Sequence, residues 1–209
     1  DALAAARDMP RVSEIRVAQG IYKPDQGEGV TAGDSNAAFD LVDRVALRGR
    51  YAGLGANDPE QRDASDFVTT LSGDLLGNDG PNFTNYDDNA YRILRAENLA
   101  LATLIEGVTI VASQWEPEEV LMGGGIFCSS GGLTVRGCRF ERNHAYYGGG
   151  IGILAGTLVV QQCSFTHNKA RYGAGMSANG PLPNAWPAVV VEDCVFTDKL
   201  AELEDGGGI

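Results

Sequence analysis

Histidine is almost missing from this chain, with two in 209 residues, and basic side chains are outnumbered, 16 lysines and arginines against 28 aspartates and glutamates. So little imidazole leaves scant material for a histidine-based catalytic or metal centre. The net charge of −12 repels phosphate backbones and argues against a nucleic-acid partner. No apolar run approaches the roughly 18 residues a membrane-spanning helix needs, so this chain holds no transmembrane segment of that kind. Cysteine is sparse too: the four residues form no pair at zinc-like spacing. Collagen's glycine at every third position is lacking, although glycine itself is plentiful, at 28 residues.

Those glycines punctuate a repeat. Gly123-Gly124-Gly125-Ile126 recurs 25 residues later as Gly148-Gly149-Gly150-Ile151. Leu133 to Phe140 recurs at the same interval as Leu158 to Phe165, and Phe140-Glu141-Arg142-Asn143 returns as Phe165-Thr166-His167-Asn168. A fixed period of this size marks a solenoid. Within each unit apolar residues alternate with period two (Ile126 and Cys128, Leu133 and Val135, Cys138 and Phe140), the signature of strands. The expected fold is therefore all-β, a right-handed single-stranded parallel β-helix, since parallel crossovers wind right-handed. Three inward ladders follow: Val108, Cys138, Cys163 and Cys194; Ile110, Phe140, Phe165 and Phe196; and Asn143 with Asn168 at a bend. Cys128 joins a different stack, with Ile153 and Ala178. Stacked rungs lie about 4.8 Å apart, somewhat long for a disulfide, so the thiols are expected as small buried hydrophobes.

In chain order, residues 1–10 open with an alanine-rich helix that caps the solenoid, 11–102 form irregular opening coils with long loops, and 103–209 form regular coils, all one domain. About seven coils are expected at roughly 28 residues each. The spacing from Cys163 to Cys194 is longer than 25, and the excess sits in a turn, as solenoids allow. The chain ends on Gly206-Gly207-Gly208-Ile209, the opening of another coil. Continuation of the natural chain at both ends is expected, with end-to-end self-association through this last coil as the other reading.

The GGGI and FxxN units resemble the GGAI/FxxN repeats of the chlamydial polymorphic outer-membrane proteins, and more broadly bacterial surface β-helix proteins. The likeness is strongest from Thr103 to Phe196. It departs at Lys199, which stands where the ladder asparagine is expected, and at Gly173-Ala174-Gly175-Met176. The resemblance implies a secreted or cell-surface scaffold, often an adhesin-like passenger, with glycans or host-surface molecules as partners.

Four groups of residues are candidates for chemistry. Trp115, Tyr146 and Tyr172 fall in one turn and suit the stacking of sugar rings; alternatively Tyr147 and Tyr172 simply stack and cover the corner. Asp74, Asp79, Asp87 and Asp88 gather hard oxygen ligands for Ca2+, the one cofactor suggested, although Asn, Asp and Gly also make ordinary turns. His144 and His167 are expected as solvated turn residues, and Trp186 as a local lid on its inserted turn. The outward rows Arg136, Gln161, Glu192 and Arg139, Ser164, Val195 contain no acid pair of the kind glycoside hydrolysis needs. A non-catalytic rod displaying its turns is the preferred function. A polysaccharide-binding or polysaccharide-cleaving β-helix and an end-to-end fibre subunit are the alternatives.

Overall fold

Alternating short strands that cannot bury an apolar face alone must stack on their own copies. The computed structural model shows this, and it describes residues 2–27, 29–100, 102–115, 122–179, 186–198 and 200–201. The first face stacks Glu14–Ala18, Ala46–Tyr51, Ala102–Glu106, Gly132–Arg136, Thr157–Gln161 and Ala188–Glu192, all parallel. The second stacks Gly20–Tyr22, Thr69–Ser72, Thr109–Val111, Arg139–Glu141, Ser164–Thr166 and Val195–Thr197. A third, shorter face holds His144–Tyr147, Lys169–Tyr172 and Leu200–Ala201. The fourth holds Phe39–Asp40, Leu94–Ala96, Ile126–Cys128, Ile151–Ile153 and Met176–Ala178. Each lap adds one strand to a face, the parallel β-helix the repeat implied.

The described residues contain six laps on each of the first two faces, against the seven expected. The expected count ran to residue 209, beyond the described residues, and insertions at 23–38, 52–68 and 73–93 lengthen the opening laps. Residues 206–209, the proposed end-to-end contact, and Lys199 lie outside the described residues.

Registers follow the repeat. Leu133 pairs Leu158, Val135 pairs both Ile105 and Val160, and Cys128, Ile153 and Ala178 share one stack. Inside, Phe140 lies 4.6 Å from Phe165 at 3°, and Phe165 lies 4.6 Å from Phe196 at 6°. Phe140 and Phe165 are completely buried, among the largest apolar side chains of the core. Such burial supplies most of the folding drive.

The asparagine ladder satisfies the bend. Asn168 Oδ1 accepts the Asn143 N–H at 3.0 Å, and Asn168 Nδ2 donates to the Phe140 carbonyl at 2.8 Å. One lap earlier, Asn143 Oδ1 accepts the Ser113 N–H at 3.3 Å, and Asn143 Nδ2 donates to the Ile110 carbonyl at 2.9 Å. Each amide therefore binds the backbone of the preceding coil, where strand pairing has stopped.

All four cysteines are free thiols. They do more than fill space: Cys163 Sγ accepts the Cys138 N–H and Cys194 Sγ accepts the Cys163 N–H, each at 3.4 Å. Burial pushes the Cys128 thiol up to about 11, and hydrogen bonding with Cys138, reinforced by burial, raises that of Cys163. Neutral sulfur is thus part of the backbone hydrogen-bond system as well as the core.

Glycine matters most at two corners. In the GGG corner, a Cβ on Gly150 would sit 2.5 Å from the Gly175 carbonyl and one on Gly125 would sit 2.5 Å from that of Gly150, so only a bare Cα lets successive laps close. The corner between the first two faces is left-handed in every regular lap: Gly107 at φ +69°, Gly137 at +58°, Gln162 at +55° and Asp193 at +52°. Gln162 is exposed and carries a Cβ where its neighbour has none. Gln162→Gly is therefore expected to stabilise the protein by about 0.5–1 kcal/mol, read as a higher urea midpoint. A lower midpoint would show that the glutamine side chain contributes more than its backbone strain costs.

The helix Ala2–Arg7 buries Leu3 and Ala6 and pairs Arg7 with Asp40 at 3.1 Å. Its cover is partial: a cavity of about 490 Å³ remains beside it, lined by Leu3, Ile15, Val17, Phe39, Leu47 and Leu71.

Candidate functional site

The strands of the third face carry the aromatics to one edge. Within His144–Tyr147, Ala145 points into the core while His144, Tyr146 and Tyr147 stay half-buried. Lys169–Tyr172 repeats this with Ala170 inside. Parallel register sets Tyr147 against Tyr172, and their rings stack at 5.1 Å. Tyr146 then becomes the hub. It lies 5.5 Å from Trp115, 4.7 Å from Tyr147 and 5.8 Å from Tyr172, with the Arg171 guanidinium 5.3 Å from its ring centroid.

The structure thus gathers Trp115, Tyr146 and Tyr172 across three successive laps. Tyr147 and Tyr172 do stack, so the corner-covering reading holds as well; the two coexist because the rings remain half-exposed. Among the described residues no hydrogen bond occupies the hydroxyls of Tyr146, Tyr147 or Tyr172. Burial, then the neighbouring phenols, raises the Tyr147 hydroxyl above its usual range, which keeps it a neutral donor.

His144 departs from the expected solvated turn. It opens a strand, is half-buried, and meets Trp115 at 5.4 Å and Phe83 at 5.7 Å, both edge-on. The reason is Phe83, delivered from the 73–93 insertion, which covers the ring from the side where solvent was expected. His167 is exposed, 3.8 Å from Asp198. Trp186 is 63% exposed, and the turn it was expected to cover, 180–185, lies outside the described residues.

Phe83 also brings the acidic loop to the aromatic strip. Of the four aspartates, Asp74 is committed to the turn, its carboxylate accepting the N–H groups of Gly77 at 2.6 Å and Asn78 at 3.1 Å. Asp87 is exposed; its carbonyl, not its carboxylate, is what the loop uses, accepting from Gln114. Asp74 is thus engaged by its own turn and Asp87 faces solvent. Asp79 and Asp88 each bury a carboxylate oxygen, and Asn89 Nδ2 donates to Asp79 Oδ2 at 2.9 Å. Burial is the main reason the Asp79 carboxyl is pushed up to about 6, with Asp74 and Asp88 adding to it and Asn89 and Arg142 opposing. Asp79 Oδ1, Asp88 Oδ2 and Asn89 Oδ1 are buried with no hydrogen-bond donor among the described residues. Such an atom costs about 1–3 kcal/mol when left unsatisfied. Among the described residues no three acid, thiol or imidazole groups converge on one metal position.

No protein-family model matches the chain, and no curated protein or solved structure does either. The reading of this surface therefore rests on its geometry.

The outward rows of the first face are knitted into ion pairs. Glu106 bridges Arg62 at 3.3 Å and Arg136 at 3.2 Å and also pairs with Arg48. Burial pushes its carboxyl up, but the Arg136, Arg62 and Arg48 charges outweigh it and hold the group below its usual range. Gln161 Nε2 donates to Glu192 at 2.7 Å. These carboxylates belong to a lattice between laps.

The sequence pointed to Trp115, Tyr146 and Tyr172 through their spacing but missed Phe83, His144 and Arg171. Arg171 was findable, one residue before Tyr172 on a strand edge. Phe83 was not, because nothing in the sequence states how a 21-residue insertion folds back.

Proposed function

We propose that this chain is a non-catalytic segment of an extracellular or cell-surface protein, a rigid solenoid that binds glycan along the strip Trp115–Tyr146–Tyr172. The observation that carries this reading is the strip itself: half-exposed rings on successive laps, open hydroxyl donors among them and one arginine beside them. Apolar faces for sugar rings and polar edges for their hydroxyls are what such a ligand requires. Rings stepping along the solenoid axis favour a linear glycan laid lengthwise. The acidic surface, which disfavours polyanions, fits a neutral one. The resemblance to GGAI/FxxN surface repeats supports display outside the cell, and calcium is taken up below.

Screening soluble neutral oligosaccharides on a glycan array, then by calorimetry, tests the proposal. Trp115→Ala and Tyr146→Ala are each expected to weaken binding about tenfold or more while leaving the circular dichroism unchanged. Absence of any glycan ligand, or binding indifferent to both variants, would refute it. Release of shortened products from a bound glycan would replace it with the polysaccharide-cleaving alternative.

A further inference from the structure

The 73–93 loop presents an oddity that ordinary turn chemistry leaves unexplained. Asx-type contacts account for Asp74, but deeper in the loop three side-chain oxygens are buried facing no donor: Asp79 Oδ1, Asp88 Oδ2 and Asn89 Oδ1. Asn89 is wholly buried, and its Nδ2 is spent on Asp79 Oδ2 at 2.9 Å and the Ala112 carbonyl at 3.0 Å. That leaves its carbonyl oxygen as a pure acceptor beside the Asp79 carboxylate, which also feels the charge of Asp88. Arg142 approaches the same region, yet among the described residues no ion pair joins it to Asp79 or Asp88. The Tyr86 hydroxyl is buried as well and feels the Asp79 charge, yet it donates to none of these oxygens. Buried acceptors left without a donor are matched by a cation, and an all-oxygen set of two carboxylates and an amide suits a hard, adaptable one.

We propose that Asp79, Asp88 and Asn89 bind Ca2+, which locks the 73–93 loop in place and so holds Phe83 against His144 and the aromatic strip. Water completes the shell of about 6–8 oxygens that calcium takes, and the irregular set disfavours Mg2+, which demands a regular octahedron. The ion binding stands on the loop alone; its effect on ligand affinity rests on the glycan reading above.

The full chain, stripped with a chelator and dialysed, is titrated with CaCl2 at neutral pH by calorimetry, and its melting is followed with and without the ion. Binding is expected with a dissociation constant of about 10⁻⁴–10⁻³ M, as in extracellular calcium modules. It is expected to raise Tm, alter tryptophan fluorescence through Trp115, and respond much less to MgCl2. Asp79→Asn and Asp88→Asn should each abolish the heat and the Tm shift. Asp79→Asn removes a clustered charge and adds an N–H donor to the orphaned oxygens, so without calcium it should melt above the native chain. No heat or shift at 10-fold the upper constant would overturn the site, leaving water as the occupant of those oxygens. Calcium binding unchanged in both variants would overturn it as well, by placing the ion elsewhere. Calcium binding without any glycan ligand would leave this site standing and remove the glycan reading.

Discussion

Phe165→Ala is expected to lower the unfolding free energy by about 3–5 kcal/mol, the usual cost of emptying a large aromatic site in a packed core. Phe165 is the middle of three stacked rings, with Phe140 and Phe196 each 4.6 Å away, so no neighbour can swing into the gap without leaving its own lap. A solenoid's stability is a sum of lap energies and interfaces between neighbouring laps. The lesion should therefore split unfolding as well as weaken it. In urea, the laps after residue 165 should melt before those preceding it, giving a shallower or biphasic transition. A single transition displaced by less than about 1 kcal/mol would mean the ring stack is not what couples the laps.

A second large effect is expected at Asn168. Asn168→Leu keeps the volume and removes the amide, which leaves the Asn143 N–H and the Phe140 carbonyl without their partner in a fully buried bend. Two orphaned backbone groups at about 1–3 kcal/mol each give an expected loss of about 2–6 kcal/mol. The adjacent His167→Ala is the control, expected to change stability by less than about 0.5 kcal/mol because the side chain is exposed. Equal effects at the two positions would refute the ladder as the source of the cost. Denaturant midpoints on the three proteins decide between them.

What the sequence disclosed, and what it concealed, has a physical division. Stacked positions were legible because parallel pairing copies each side chain onto its equivalent one lap on, most plainly where the lap is 25 residues: Leu133 onto Leu158, Cys138 onto Cys163, Asn143 onto Asn168. The three aromatics were legible as residues of the same turn in successive laps, although only Tyr147 and Tyr172 share a register position. Contacts made by insertions were not legible, since a loop between Ser72 and Leu94 carries no register. Phe83 beside His144, and the selection of Asp79, Asp88 and Asn89 over Asp74 and Asp87, depend on how that loop folds back. The sulfur–amide contacts were missed for a different reason: the stacking was read correctly, but sulfur was counted as apolar only.

The cysteine row has a bearing on the protein's life before it is folded. Cys138 and Cys163 each present sulfur only inside a closed pair of laps, with the sulfur of Cys163 engaged by the amide of Cys138. Once wound, these thiols are shielded from glutathione and from oxidoreductases, even in an oxidising milieu. Their only exposure to capture in a mixed disulfide is the interval between emergence of the chain and closure of the following lap.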